Sequence, residues 1–150
     1  MIRMIIASAC LLGINCRWNG NSSPGKKLLP YLPDVIPVCP EQLGGLATPR
    51  DPAQIIDGNG LDVLNGQARV INSAGNDVTC EFIRGANAVL RIAKLYKAGR
   101  VILKERSPSC AAHHIYHGET LTTGMGVTCA LLIREGFAVL SSEEIEKFYV

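Results

Sequence analysis

Short apolar runs that stop at glycine, proline or cysteine alternate along this chain with longer stretches of helical spacing. Arg3 to Ala9 is apolar and enters a turn at Gly13, the pattern of a buried strand. Asn19 to Lys27 is polar and glycine-rich and predicts a loop able to move over a site. Leu28 to Leu32 has room for a short helix at most before Pro33. Val35 to Val38 reads as a second strand, kept brief or irregular by Pro37. Pro40 then suits a helical first turn, which breaks at Gly44 and Gly45.

Residues 49–76 hold several small elements, with one helical turn predicted over Pro52 to Ile56 and a minor strand over Ala68 to Ile71. The strongest helix runs from Val78 to Ala98, where Val78, Phe82, Ala86, Val89, Ala93 and Tyr96 form one apolar stripe. Asp77 is its expected N-cap and Gly99 its stop. Arg100 to Leu103 is a strand, and a second apolar helix covers about Val127 to Glu135, capped by Gly136. Phe137 to Leu140 is a last strand, and Ser141-Ser142-Glu143-Glu144 opens a terminal helix with a reciprocal serine–glutamate cap. Strand, helix and strand repeated in this way predict a single α/β domain over residues 1–150, with a mostly parallel sheet covered on both faces.

That fold gives the cysteines their meaning. Cys10, Cys39 and Cys110 each follow a predicted strand, and Cys16 lies in the same loop as Cys10. Ligands of parallel sheets sit beyond the carboxyl ends of the strands, so the fold gathers these thiols at one rim. Cys80 and Cys129 lie on helices and are expected to pack as small hydrophobes. A 150-residue chain with 47% hydrophobic residues builds its core without disulfides, which points to free thiols in a reducing cytoplasm. The N-terminal apolar stretch has the look of a very short signal peptide, but it runs into a turn and cysteine that belong with the others and reads as the first strand. No apolar run approaches the roughly 18 residues of a membrane span. A net charge of +2 without a basic stripe argues against nucleic acid as partner.

Thiolates select zinc, copper(I) or iron–sulfur centres. The gaps of 5, 22 and 70 residues contain no tight pair of the structural zinc type, and glycines and prolines leave room for a bulky inorganic core. An iron–sulfur cluster is therefore the leading reading, and structural zinc or thiol catalysis the rivals. Arg17, Lys104 and Arg106 are the cations that would activate a catalytic thiol. Three protein ligands on a [4Fe–4S] core leave one iron open as a Lewis acid, whereas four close it; spacing does not choose between them. Glu41 and Ser107 share short loops with cysteines, as an acid–base group and a substrate hydrogen-bonding group, or else as a solvated glutamate and a serine capping its own loop. Arg50 is a candidate ion-pair partner orienting the Glu41 loop, and Trp18 a candidate stacking surface for a planar ligand or else a cap on the core. His113 and His114 are read as a pair on an exposed turn, and Thr122 and Thr123 as part of a flexible loop among Gly118, Gly124 and Gly126.

The segments Cys10-Leu11-Leu12-Gly13, Cys16-Arg17, Val38-Cys39-Pro40-Glu41, Gly44-Gly45-Leu46, Pro49-Arg50, Asn76-Asp77-Val78-Thr79 and Lys104-Glu105-Arg106-Ser107-Pro108-Ser109-Cys110 together resemble the DUF523 family, whose characterised members are thiouracil desulfurases. The resemblance covers essentially the whole chain. It implies a Rossmann-like three-layer α/β domain with a [4Fe–4S] cluster held by Cys10, Cys39 and Cys110, catalytic roles for Glu41 and Ser107, and Cys16 as an auxiliary thiol. It further implies hydrolytic removal of sulfur from a thiolated pyrimidine base or nucleoside such as 2-thiouracil or 4-thiouracil. The substrate sulfur would meet the open iron, and the products would be uracil and hydrogen sulfide, with no electron donor. The chain departs from the family pattern at Trp18-Asn19, where Tyr-Asp is usual, and at Ala111, where glycine is usual, which leaves the preferred thiobase open. An iron–sulfur binding or sulfur-delivery module without turnover is the competing function, and the oligomeric state is left between monomer and homodimer.

Overall fold

The computed structural model describes residues 3–145. A four-stranded, wholly parallel sheet lies at its centre, in the order β2-β1-β5-β8. The strands are β1 (Ile5–Ser8), β2 (Val35–Val38), β5 (Arg100–Leu103) and β8 (Val139–Ser141). Ser8 pairs with Val38, and Ala7 with Ile102, so β1, β2 and β5 end at nearly the same level. Pro37, which has no N–H to donate, is exposed on edge strand β2, where its missing donor costs the sheet nothing.

The period-two alternation of these strands divides the core in two. Ile6, Val101 and Leu103 face one cluster with Phe82, Val89, Leu131 and Leu132. Those partners come from α3 (Thr79–Leu95) and α4 (Val127–Arg134). Ile5, Ala7 and Ile102 face the other, with Leu11, Tyr31 and Ile145. The result is the expected three-layer α/β architecture, with each central strand apolar on both sides. One covering layer is less regular than expected: a 3₁₀ segment spans Lys26–Asp34 with Pro30 and Pro33 inside it. Prolines interrupt the i→i−4 ladder, so this stretch cannot close an α-helix.

Other expectations need correction. Pro52 to Ile56 is not a helical turn but contains strand β3 (Ala53–Ile56), antiparallel to β4 (Arg69–Asn72). Ile55 is buried and Ile56 exposed, the alternation of a half-buried strand. Thr122 and Thr123 belong to a hairpin of β6 (His114–His117) and β7 (Thr120–Thr123) rather than a flexible loop. Gly118 opens its two-residue loop at φ +65°, the glycine-first turn that strand twist favours. Short α2 (Gly60–Leu64), with Asn59 and Asp62 as a capping box, was not foreseen. The long helix starts one residue later than its expected cap implied: Val78 is the N-cap, and Asp77 Oδ1 instead accepts the Thr79 N–H. Cys80 is exposed on α3 rather than packed, whereas Cys129 is fully buried as expected. The Ser141 N–H donates to Glu144 Oε1 while Ser141 Oγ accepts the Glu143 N–H, so the serine and glutamate do cap this turn, but the helix expected beyond them lies outside the described residues. Among the described residues no helix is long and apolar enough to cross a membrane.

Candidate active site

Three loops leaving β1, β2 and β5 build the site. After β1 a 3₁₀ turn, Ala9–Leu12, carries Cys10 and ends at Gly13, whose φ of +87° suits a residue without Cβ. After β2, Cys39 is the N-cap of α1 (Pro40–Leu43), with Pro40 in the first turn, where its absent N–H leaves nothing unsatisfied. This places Glu41 one turn from the sheet's edge. Gly44 and Gly85 let α1 cross α3 with the backbones nearly touching: a Cβ on Gly85 would strike the Pro40 carbonyl, and one on Gly44 the Glu81 carbonyl. The Cys39–Glu41 turn is thus seated on the longest helix of the fold.

The loop after β5 is tied to β1 by the Lys104 N–H, which donates to Ser8 Oγ at 2.9 Å. Ser107 Oγ accepts the N–H groups of Ser109 and Cys110, both at 3.1 Å, so it does cap its own loop. α4 then holds that loop from behind. The N–H groups of Val127 and Thr128 donate to the carbonyls of Pro108 and Ser109, and Ser109 Oγ meets Thr128 Oγ1 at 2.8 Å. Gly126 lies against the Ser109 backbone so closely that a Cβ there would collide with it.

These loops surround a cavity of about 870 Å³. Cys10, Cys16, Cys39, Cys110, Glu41 and Ser107 all line it, and Arg50 and Trp18 contribute as well. The four thiols are free and buried. Cys39 Sγ lies 3.7 Å from both the Cys16 carbonyl and Glu41 Oε2. Arg50 Nη2 donates to Glu41 Oε2 at 2.9 Å and to the Cys16 carbonyl at 3.0 Å, so one guanidinium ties together the first two thiol loops and the carboxylate. Burial pushes the Glu41 carboxyl above its usual range, with the Arg50 charge as the main opposing influence. Its second oxygen, Oε1, is buried without a hydrogen-bond partner.

Three of these thiols, Cys16, Cys39 and Cys110, are held toward the protonated form. Cys16 is pushed up to about 11, chiefly by its contact with Cys10. Cys39 is raised by its contact with Cys16, by burial and by Glu41, and Cys110 by burial and Glu41. Buried thiols in contact with one another resist ionising until a cation replaces their protons, and they are soft donors. Among the described residues no three His, Cys, Asp or Glu side chains close around a single metal ion. Four buried, free thiols lining one 870 Å³ space are the soft donor set that an iron–sulfur core takes.

Other sequence candidates fall elsewhere. His113 and His114 line a separate shallow pocket, with His113 Nε2 2.5 Å from Glu144 Oε1 and His114 opening β6. A further part of the cavity lining, with Gln54, Asn72 and Tyr116, went unrecognised because it stands on β3, β4 and the hairpin. Glu105 was also missed as an individual residue. Its position inside the K-E-R-S-P-S-C segment was the available signal.

Comparison with known proteins agrees with this geometry. The family profile described as 2-thiouracil desulfurase matches residues 5–144. A protein of Bacillus subtilis (strain 168), described as uncharacterized protein YbbK, is 46% identical over 147 residues, 95% of this chain and 97% of that protein. A solved structure described as the [4Fe-4S]-dependent thiouracil desulfidase TudS (DUF523Vcz) superposes with a TM-score of 0.83 at 37% identity, over 97% of this chain and 95% of the other. The chain belongs to the 2-thiouracil desulfurase family of enzymes.

Proposed function

We propose that this protein is a [4Fe–4S]-dependent desulfidase that converts a thiolated pyrimidine base or nucleoside, of the thiouracil class, to its oxo counterpart and hydrogen sulfide. The observation that carries the reading is the convergence of Cys10, Cys39 and Cys110 with the Glu41–Arg50 pair on one cavity at the strand ends. Family membership and the likeness to a [4Fe-4S]-dependent thiouracil desulfidase support the cofactor and the substrate class. Cys10, Cys39 and Cys110 would hold the cluster, and Cys16 serves as an auxiliary thiol. When bound, the cluster supplies a Lewis-acidic iron that polarises the substrate's carbon–sulfur bond.

The chain's own residues supply the remaining steps. Arg50 fixes Glu41 Oε2, which leaves Oε1 to accept a proton from the water that attacks the ring carbon. Ser107 Oγ receives two backbone N–H groups, so its own hydrogen is left to donate to a ring oxygen or nitrogen. The water oxygen becomes the new carbonyl oxygen, both water protons leave with sulfur as H₂S, and no electrons enter. Free thiols that must stay reduced support a reducing, cytoplasmic setting. Anaerobically reconstituted protein incubated with 2-thiouracil or 4-thiouracil and no reductant should release uracil and sulfide in equal amounts. Bound cluster with no product from either would make the protein a binding or delivery module, and activity that survives iron chelation would make it a thiol enzyme.

A further inference from the structure

Glu105 is the buried carboxylate that the reaction leaves unused. It is 2% exposed, at the start of the loop between β5 and β6 that carries Ser107 and Cys110. Its Oε1 accepts the Arg106 N–H at 3.3 Å and the His113 and His114 N–H groups at 3.0 Å each. Its own N–H donates to Ser142 Oγ at 3.0 Å, which fixes it to the segment following β8. One oxygen atom therefore closes both ends of the loop between β5 and β6. Arg106 takes a left-handed φ of +68°, a conformation uncommon for a residue with a Cβ and one that needs surrounding restraint.

Everything inside that closure is one turn. The Ala111 N–H donates to the Ser107 carbonyl at 3.0 Å, and Ser107 Oγ takes the amides of Ser109 and Cys110. The Gly126 N–H donates to the Ala111 carbonyl at 2.9 Å. Cys110 has no regular secondary structure of its own to aim it. An anionic oxygen is the acceptor best able to gather three N–H groups in a buried place.

We propose that Glu105 is the positioning residue of the Cys110 loop: its carboxylate clamps residues 106, 113 and 114 and so fixes the Cys110 thiol and the Ser107 hydroxyl toward the cavity. The proposal rests on the reading of that cavity as a cluster site. Its test uses the whole chain as Glu105→Ala and Glu105→Gln, with timed N-ethylmaleimide labelling of the reduced, cluster-free protein mapped by peptide mass. Cys39, held by α1, is the internal control. Glu105→Ala should label at Cys110 at least tenfold faster while Cys39 stays within twofold. It should also retain less than half the wild-type iron after anaerobic reconstitution. Glu105→Gln, whose amide oxygen accepts the same N–H groups, should return Cys110 labelling to within about threefold of wild type.

An unchanged Cys110 rate, or Cys110 and Cys39 accelerating together as in general loosening, would overturn the proposal. Should Glu105→Ala fail to fold, hydrogen exchange on the unaltered protein decides. The His113 and His114 amides should be protected like those of β5, and exchange at open-loop rates would overturn the clamp. The labelling ratio needs no cluster. A wild-type chain that took up no iron would sink the functional reading, while a selective Cys110 response would still support the role of Glu105.

Discussion

Glu41 shows how much of the site's chemistry sits in a single side chain. One of its oxygens is held by Arg50 and the other is buried without a hydrogen-bond partner, which leaves it as the acceptor that the proposed proton transfer needs. Glu41→Gln keeps the shape and removes the proton acceptor. It should retain a wild-type iron content and lower turnover about 100-fold or more, read as sulfide release per cluster. Equal turnover would assign the proton transfer elsewhere. The cysteines were legible in the sequence because thiols stood where a core residue would not, among prolines, glycines and charges at strand ends. Glu105 was not, because nothing in its own residue type distinguishes a carboxylate clamping three amides from one facing water.

At the scale of elements, the site depends on close backbone crossings that only glycine permits. A methyl group at Gly85 would collide with the Pro40 carbonyl and push α1, with Cys39 and Glu41, off α3. Gly85→Ala should therefore destabilise the protein by about 2 kcal/mol or more, the upper part of the usual range for overpacking, since a backbone carbonyl rather than a flexible side chain must move. The urea midpoint measures it, and an unchanged midpoint would show that α1 can shift freely. In the sequence Gly85 is one residue inside the helix expected from Val78 to Ala98, with nothing to mark a crossing. Contact between α1 and α3 is a tertiary fact. The same limit explains β3 and the hairpin. Ile55 and Ile56 are β-branched and follow a proline, so they admit a helical turn or a strand until β4 pairs with them. The long helix was legible from its helical periodicity, and the parallel strands from short apolar runs that end at turns.

For the molecule as a whole, the loop after β5 and the segment after β8 are joined to the rest partly through one ionised group. Burial pushes the Glu105 carboxyl up, but the Ser141 hydroxyl and the N–H groups of His114, His113 and Arg106 together hold it below its ordinary value of 4.5. A folded value below the unfolded one means that its stabilisation is complete above the unfolded value and is lost as pH falls through the folded one. Stability should therefore fall on going from pH 7 to below pH 4, and Glu105→Gln, less stable at pH 7, should narrow that difference in urea midpoint. A difference of the same size in both proteins would remove Glu105 from the acid response. The three-layer sheet itself follows from strands that are apolar on both faces, and its parallel order brings the three thiol loops to one rim.

The claim on which the account rests is that three of the four cavity thiols hold the cluster and the fourth does not. Iron per chain after anaerobic reconstitution of Cys10→Ala, Cys39→Ala, Cys110→Ala and Cys16→Ala, each compared with wild type, tests it most directly. The account predicts loss of most iron in the first three and a wild-type load in Cys16→Ala. Full iron in any of the three, or a loss in Cys16→Ala equal to theirs, would contradict it.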